Sequence, residues 1–342
     1  MQVKESTAAV IQEEEITDKI FTATRGASAY GVAVLFLKGA FMRYLVIGAG
    51  GIGGPLSFYL KKGGKDITVI ARGENLERIR ENGLTLLKNG EYEAVKIDAF
   101  TSEEYNGTPD VIFLCVKGYG IEGVLPFLKR ICGKDTVVIP LLNIFTTGEA
   151  LQKQLPHTTV TDGCIYIAGN IKAPGTVEMH GDIIKVVFGL REEGDTEKLK
   201  EVVSDLRESG VSASLSKNIK KDALKKFSYV SPAAACGLYY SCNADKMQKE
   251  GEERAFFIKL MEEVRNLSAA MGYDIGEATL RLNLSILDKL KPTASTSLQL
   301  DIAKGNQSEI DGLIHLVVRL SEEYGLKAEN YGMVSEKFSK YN

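Results

Sequence analysis

Three glycines, Gly48, Gly50 and Gly53, follow a short apolar segment at the spacing G-x-G-x-x-G. At this spacing the first glycine allows a tight turn, the second lets the backbone approach a pyrophosphate, and the third lets a helix lie close to a strand. Gly51 and Ile52 complete the loop, where a beginning helix attracts anions with its N–H groups. The pattern predicts a dinucleotide site, and the alternative is a glycine-rich turn without a ligand.

The residues at the end of the next apolar segment indicate which nucleotide would bind. Sites for NAD usually place Asp or Glu there, because a carboxylate accepts a hydrogen bond from the ribose 2′-hydroxyl. This chain has Ala71 and Arg72 instead. No carboxylate would repel a 2′-phosphate, and a guanidinium binds one bidentately, so the site favours NADPH over NADH. The alternative for Arg72 is a solvated surface charge.

Two charged residues in the second half of the chain lie on apolar helical faces. Lys226 shares a face with Ala223 and Val230, whereas its neighbour Lys225 falls on the polar side. Glu309 shares a face with three leucines. Burial lowers the pKa of a lysine and makes it a usable proton donor near neutral pH, and a nearby carboxylate would hold it in place. The alternatives are a structural ion pair between helices and a snorkelling lysine.

Three further polar residues are candidates for ligand contact. Lys117 and Asn143 each directly follow an apolar run of strand length. Ligands of doubly wound folds bind outside the carboxyl ends of such strands, although loop capping is the alternative for both residues. Ser297 opens a helical segment, where it would either cap the helix or bind a carboxylate.

The pattern that positions these residues alternates strand and helix from Met42 onward. Continuous apolar runs at 111–116 and 137–142 are typical of buried parallel strands. We expect an α/β fold, with a Rossmann-like doubly wound sheet domain over 42–215 followed by an all-helical domain over 216–342. Strand-like segments between 158 and 190 are expected to extend the sheet.

Composition narrows the classes of function. The chain has 342 residues, a net charge of −3 with mixed signs, and five widely spaced cysteines. These values favour a reduced cytoplasmic protein without structural disulfides or a metal site, and they argue against nucleic-acid or membrane partners. A small-molecule substrate is expected, and a homodimer is left open. Residues 1–41 are either an extension upstream of a natural start at Met42 or a regulatory or packing arm.

From about Met42 to the C-terminus, the chain resembles the ketopantoate reductase (2-dehydropantoate 2-reductase) family. The glycine fingerprint, the two strand-then-polar elements and two late motifs carry the likeness. The matching segments are Gly48–Gly53, 111–117, 137–143, 174–180, 218–226, 297–301 and 308–311. The resemblance implies that NADPH reduces the ketone of 2-dehydropantoate to (R)-pantoate, a step toward pantothenate.

The resemblance also implies a role for each candidate residue. Lys226 would be the general acid that protonates the carbonyl oxygen. Glu309 would hydrogen-bond and orient both the substrate and that lysine. Ser297 would hold the substrate carboxylate, and Asn143 and Lys117 would lie near the nicotinamide and the substrate.

The departures from the family pattern concern the substrate side. Val230 and Ala234 stand where the family has two asparagines that contact the substrate. Leu224 replaces a tryptophan, and Ile144 replaces the glycine of a Gln-Asn-Gly turn. Ser231 would either compensate for the lost amides or cap the helix break at Pro232. Because lost hydrogen bonds change discrimination, a reductase of another 2-oxoacid and a non-catalytic NADPH-binding sensor remain alternatives.

Overall fold

A six-stranded parallel sheet holds the glycine-rich loop. The structure is a computed structural model that describes residues 42–341, so the interpretation of residues 1–41 lies outside the described residues. The strands of the sheet are β1 (Arg43–Ile47), β2 (Asp66–Ile70), β5 (Asp98–Phe100), β6 (Val111–Leu114), β7 (Val137–Pro140) and β8 (Thr159–Val160). Their order is β5-β2-β1-β6-β7-β8, which confirms the predicted doubly wound sheet.

The crevice for a ligand follows from this order. β1 pairs with β2 on one side and with β6 on the other, so the direction of winding changes beside β1. The carboxyl ends of β1, β6 and β7 therefore meet at one edge, as in other doubly wound sheets. The predicted strands 111–116 and 137–142 are each two residues shorter in the structure, as β6 and β7. Their last residues form loops, because the neighbouring β1 ends at the Gly48 turn.

Between residues 42 and 215, five helices accompany the strands. They are α1 (Gly53–Lys62), α2 (Gly73–Asn82), α3 (Ile121–Ile131), α4 (Thr147–Gln154) and α5 (Glu197–Glu208). A 3₁₀ turn, Gly118–Gly120, leads into α3. All residues of β6 and β7 are buried, which is the burial expected for central strands covered on both faces.

The strand-like segments between 158 and 190 extend the main sheet only through β8, so that expectation is otherwise wrong. The other strands are β3 (Leu84–Lys88), β4 (Glu91–Val95), β9 (Asp162–Tyr166), β10 (Gly169–Ala173), β11 (Thr176–Met179), β12 (Lys185–Gly189) and β13 (Ser212–Leu215). They form two smaller sheets, ordered β10-β11-β3-β4 and β13-β12-β9. With only two residues, β8 offers too short an edge for another strand.

Every regular element from Ile219 to Tyr341 is helical, which confirms the predicted helical second half. The elements are α6 (Ile219–Tyr239), α7 (Ala244–Met247), α8 (Glu252–Ala270), α9 (Glu277–Asp288), α10 (Ser297–Ala303), a π-helical turn (Asp311–His315), α11 (Leu316–Glu323), α12 (Glu329–Lys337) and a final 3₁₀ turn (Ser339–Tyr341). Among residues 42–341, no helix has the length and hydropathy that a membrane span requires. The domain boundary near residue 215 stays a prediction.

The central helix α6 begins in a partly buried cluster of charges. Lys220 Nζ lies 2.9 Å from a carboxylate oxygen of Glu149 on α4 and 3.5 Å from one of Asp162 on β9. Arg191 reaches the other oxygen of Asp162 at 3.2 Å. Burial raises the pKa of Asp162, although the charges of Lys220 and Arg191 oppose that rise. The cluster ties the start of α6 to the strands and helices that hold the crevice.

We expect Lys220→Met to lower the free energy of unfolding by about 3 kcal/mol, because it removes one cationic partner of the buried Asp162 carboxylate. Urea denaturation followed by circular dichroism would measure the loss. Lys217→Met is the matched control, since Lys217 is exposed just before α6 and should change stability by less than about 0.5 kcal/mol. Equal effects of the two substitutions would contradict the role given to the cluster.

Candidate functional site

The first and third glycines of the loop are required by its backbone. Gly48 has φ +101°, a left-handed conformation that residues with a side chain rarely adopt. A Cβ at Gly53 would lie 2.0 Å from the carbonyl oxygen of Gly48 and 2.9 Å from the Cβ of Cys115. Their missing side chains let α1 begin directly against β1 and the loop after β6.

The middle of the loop combines an open position with a close one. A Cβ at Gly50 would meet no atom within 4 Å, so this backbone faces open space. A Cβ at Gly51 would lie 2.2 Å from the carbonyl oxygen of Gly169. α1 starts after Ile52 without a side-chain cap and without an acidic residue in its first turn. The helix N-terminus therefore remains suited to an anion such as a phosphate.

Arg72 lies at the same edge of the sheet. It follows β2 in an extended conformation and occupies the N-cap position of α2. Gly48 N donates to the carbonyl oxygen of Ile70 at 3.0 Å, which brings the end of β2 beside the glycine loop. The Arg72 side chain is exposed and makes no ion pair with any residue from 42 to 341. Its guanidinium is available to a ligand bound at the loop.

Lys226 reaches this edge from the helical half. Its ammonium donates a 2.8 Å hydrogen bond to Oδ1 of Asn143, in the loop after β7. The lysine is half-buried, and burial lowers its pKa, while Cys164 and Glu309 oppose the shift. Lys225 instead pairs with Asp222 at 3.2 Å on the outer side of α6. Lys226 and Lys225 therefore lie on different sides of α6, as the helical periodicity of the sequence predicted.

Glu309 does not hold Lys226 through a direct hydrogen bond, so that part of the expectation is wrong. Its carboxylate accepts a 2.9 Å bond from the backbone N–H of Gly118 and lies 3.4 Å from Nζ of Lys117. Asp301 also accepts from Lys117, at 3.3 Å. Burial by itself would lower the pKa of Lys117, but the two carboxylates outweigh it and raise that pKa. The charge of Glu309 opposes the lowering of the Lys226 pKa by burial.

Ser297 is not the cap of α10. Thr296 takes that position, because its hydroxyl accepts from Gln299 N while its own N–H donates to the Gln299 side chain. Ser297 is exposed in the first turn, four residues before Asp301. Residues four apart share a helical face, so Ser297 lies on the side of α10 that contacts Lys117. Its role toward a carboxylate stays a prediction.

Ser231 neither faces the site nor caps a helix break. Its buried hydroxyl bonds to the carbonyl oxygen of Leu313 and to the hydroxyl of Tyr331. α6 continues through Pro232 up to Tyr239. The hydroxyl therefore serves helix packing and cannot replace amides that recognise a substrate.

Three contacts of the site were missed by sequence reasoning. Asp301 carried a usable signal, because it lies one turn after Ser297 in the same motif. Ile144 packs where a Cβ of Gly118 or Gly312 would lie, at 2.5 Å and 2.2 Å respectively. Tyr166 places its ring centroid 5.8 Å from Nζ of Lys226. Nothing local in the sequence indicates these last two contacts, since each joins distant segments.

We expect Gly53→Ala to lower the stability by at least about 2 kcal/mol, because its Cβ would collide with backbone atoms that cannot easily move. Gly50→Ala is the control and should leave the unfolding midpoint unchanged, since its Cβ would enter open space. Thermal unfolding of both variants compares them. A stable Gly53→Ala protein would show that close contact of α1 with β1 is dispensable.

Comparison with known proteins places the chain in a family. The model described as Ketopantoate reductase PanE/ApbA matches residues 44–193, and that of its C-terminal part matches 218–342. A 2-dehydropantoate 2-reductase of Nostoc sp. is 21% identical over 289 residues, covering 83% of this chain and 90% of the relative.

Two solved structures share the fold. A 2-dehydropantoate 2-reductase of Geobacter metallireducens has a TM-score of 0.81 at 18% identity, with 88% of this chain and 100% of that chain covered. A D-mandelate dehydrogenase, in a ternary structure with NADH and anilino(oxo)acetate, has a TM-score of 0.80 at 22% identity, with 86% and 96% covered. Because the two family models together match most of the sequence, this chain belongs to the ketopantoate reductase PanE/ApbA family of oxidoreductases.

Proposed function

We propose that the chain is an NADPH-dependent reductase that converts 2-dehydropantoate to (R)-pantoate. The observation that carries the proposal is the half-buried ammonium of Lys226, hydrogen-bonded to Asn143 at the carboxyl edge of the sheet. A proton donor thus lies at the edge that also carries the glycine loop. The family and its curated relatives, several of which are 2-dehydropantoate 2-reductases, support this reaction.

The residues present fit a nicotinamide dinucleotide. The open backbone at Gly50 and the uncapped start of α1 suit its pyrophosphate, and Arg72 suits a 2′-phosphate. Lys117 and Asn143 would contact the nicotinamide side. NADH in the similar D-mandelate dehydrogenase structure supports the cofactor class but not the choice of phosphate. When bound, the reduced cofactor supplies the hydride to the ketone carbon.

Side chains of this protein would donate the proton to the substrate and bind its carboxylate. The Lys226 N–H bond breaks as the substrate's carbonyl oxygen becomes a hydroxyl, and a lowered pKa makes this transfer easier near neutral pH. Asn143 accepts one hydrogen bond from the ammonium and keeps it at the carboxyl edge of the sheet. Lys117, kept protonated by Glu309 and Asp301, adds positive charge for an acidic substrate, and Ser297 offers a hydroxyl to its carboxylate.

Lys226→Ala should lower kcat by roughly 100- to 10,000-fold, the usual contribution of a general acid, while affinity for NADPH changes little. In the wild type, kcat should fall as pH rises through the Lys226 pKa, because only the ammonium can donate. Steady-state kinetics with 2-dehydropantoate measures both effects. Lys225→Ala is the matched control and should keep its activity. An unchanged kcat in the Lys226 variant would reject the proton-donor role.

Arg72→Ala should weaken NADPH binding by roughly 10- to 100-fold and NADH binding hardly at all, because the lost bonds reach only the 2′-phosphate. Fluorescence titration with each cofactor gives both dissociation constants. Arg78→Ala is the control, since Arg78 is an exposed arginine on the same helix that already pairs with Glu81. Equal weakening of both cofactors would remove Arg72 from the phosphate site.

A second candidate is a reductase of a different 2-oxoacid with an apolar side chain. Val230 lies one helical turn beyond Lys226 and is half-buried, and Ala234 follows one turn later. The fold shared with a D-mandelate dehydrogenase favours the same alternative. Oxidation of NADPH and NADH with 2-dehydropantoate, a branched 2-oxoacid and an aromatic one separates these functions. Tight NADPH binding without turnover of any of them would indicate a sensor.

A further inference from the structure

We infer that Tyr166 is a positioning residue for Lys226, holding the ammonium against its ring so that it points toward Asn143. This inference rests on the proposed function of Lys226 as the proton donor. Nζ of Lys226 lies 5.8 Å from the centroid of the Tyr166 ring, inside the limit of about 6 Å for a cation–π contact. Tyr166 is half-buried, so the contact is partly shielded from water.

Strand β9 places the Tyr166 ring beside Lys226. Tyr166 is the last residue of β9, and Cys164, two residues earlier, is on the same face of the strand. Cys164 packs with Ile219, at the start of α6. Lys226 lies seven residues after Ile219, so the same face of the helix continues toward the ring. β9 and α6 therefore pack along each other, and this packing places the Tyr166 ring beside the Lys226 ammonium.

The ring and the amide hold the ammonium in different ways. Asn143 takes one of the three N–H donors of Lys226 in a 2.8 Å hydrogen bond. The ring attracts the charge without using a lone pair, so it restricts the side chain but leaves donors for a substrate. A flexible lysine with a single hydrogen bond would otherwise sample other rotamers. The two contacts together define one direction.

Other charged and titratable groups surround the same ammonium. Cys164 and Glu309 oppose the lowering of the Lys226 pKa, and Lys117 lies 3.4 Å from the Glu309 carboxylate. Lys185 on β12 lies 5.8 Å from the Tyr166 centroid and shares the ring. Asp222 and Lys225 pair with each other on α6. None of these groups replaces the ring beside Nζ, so its removal should be measurable.

The test compares Tyr166→Phe, which keeps the ring, with Tyr166→Leu, which removes it. In full-length protein without ligand, the pKa of Lys226 is followed by NMR of ¹³Cε-labelled lysine, with the signal assigned by its loss in Lys226→Arg. We expect the leucine variant to lower that pKa by about half to one unit, because the charged form loses its partner. The phenylalanine variant should titrate like the wild type.

Kinetics provides the second readout. The alkaline limb of the kcat profile should move to lower pH by the same amount in Tyr166→Leu, and kcat should fall by roughly 3- to 10-fold. Tyr229→Leu is the matched control, because Tyr229 is a half-buried tyrosine on α6 that packs on Phe257 and should leave the Lys226 titration unchanged. Circular dichroism checks folding, and Tyr166→Met replaces the leucine variant if the latter does not fold.

Two results would overturn the inference. One is a leucine variant that titrates like the wild type, and the other is a phenylalanine variant that shifts as far as the leucine one, because the hydroxyl would then matter instead of the ring. Failure of the proposed function looks different. If Lys226→Ala keeps its kcat, the proton-donor role is lost, while the NMR titration still decides whether Tyr166 holds the ammonium.

Discussion

The site depends on the hydrogen bond between Lys226 and Asn143, because this bond holds the ammonium of a residue on α6 at the carboxyl edge of the parallel sheet. Asn143 is there because β7 ends at Pro140 and the chain turns into a loop. Lys226 is there because α6 starts in the ion cluster around Lys220 and runs along β9. Neither half of the chain makes the contact alone, so packing between β9 and α6 sets its geometry.

Two lysines meet at this edge, and their surroundings push their pKa values in opposite directions. Burial dominates for Lys226 and lowers its pKa. Two carboxylates dominate for Lys117 and raise its pKa. Glu309 acts to raise the pKa of both lysines, and it contacts only Lys117, so for Lys226 its charge does not outweigh the effect of burial. An environment that separates two pKa values in this way suits one group to proton transfer and keeps the other as a fixed charge.

Features set by local pattern could be predicted from the sequence, and features set by tertiary partners could not. The glycine spacing located the loop, and helical periodicity chose Lys226 over Lys225, because both follow from neighbours along one element. The predicted hydrogen bond from Glu309 to Lys226 was wrong, because the partners of Glu309 depend on how three segments far apart in sequence pack together. Ser297 was one residue away from the true cap, Thr296, because adjacent hydroxyl residues give the same signal. The small sheet of β9, β12 and β13 was not predicted for a related reason, because tertiary packing determines which short strands pair.

Under the proposed function, proton donation and substrate choice are separable, because the departures from the family pattern leave Lys226 and Asn143 unchanged. Ala234 is only 1% exposed and lies within the helical core, so a substrate could reach it only if the helices moved. Val230 is half-buried and lies one turn from Lys226, which leaves it the more accessible of the two. An apolar side chain there cannot accept or donate a hydrogen bond, so it favours an apolar group in the substrate over a hydroxyl. Ile144 adds bulk beside Asn143 while packing on Gly118 and Gly312. In the proposed reaction, the proton chemistry can therefore be retained while the preferred 2-oxoacid changes.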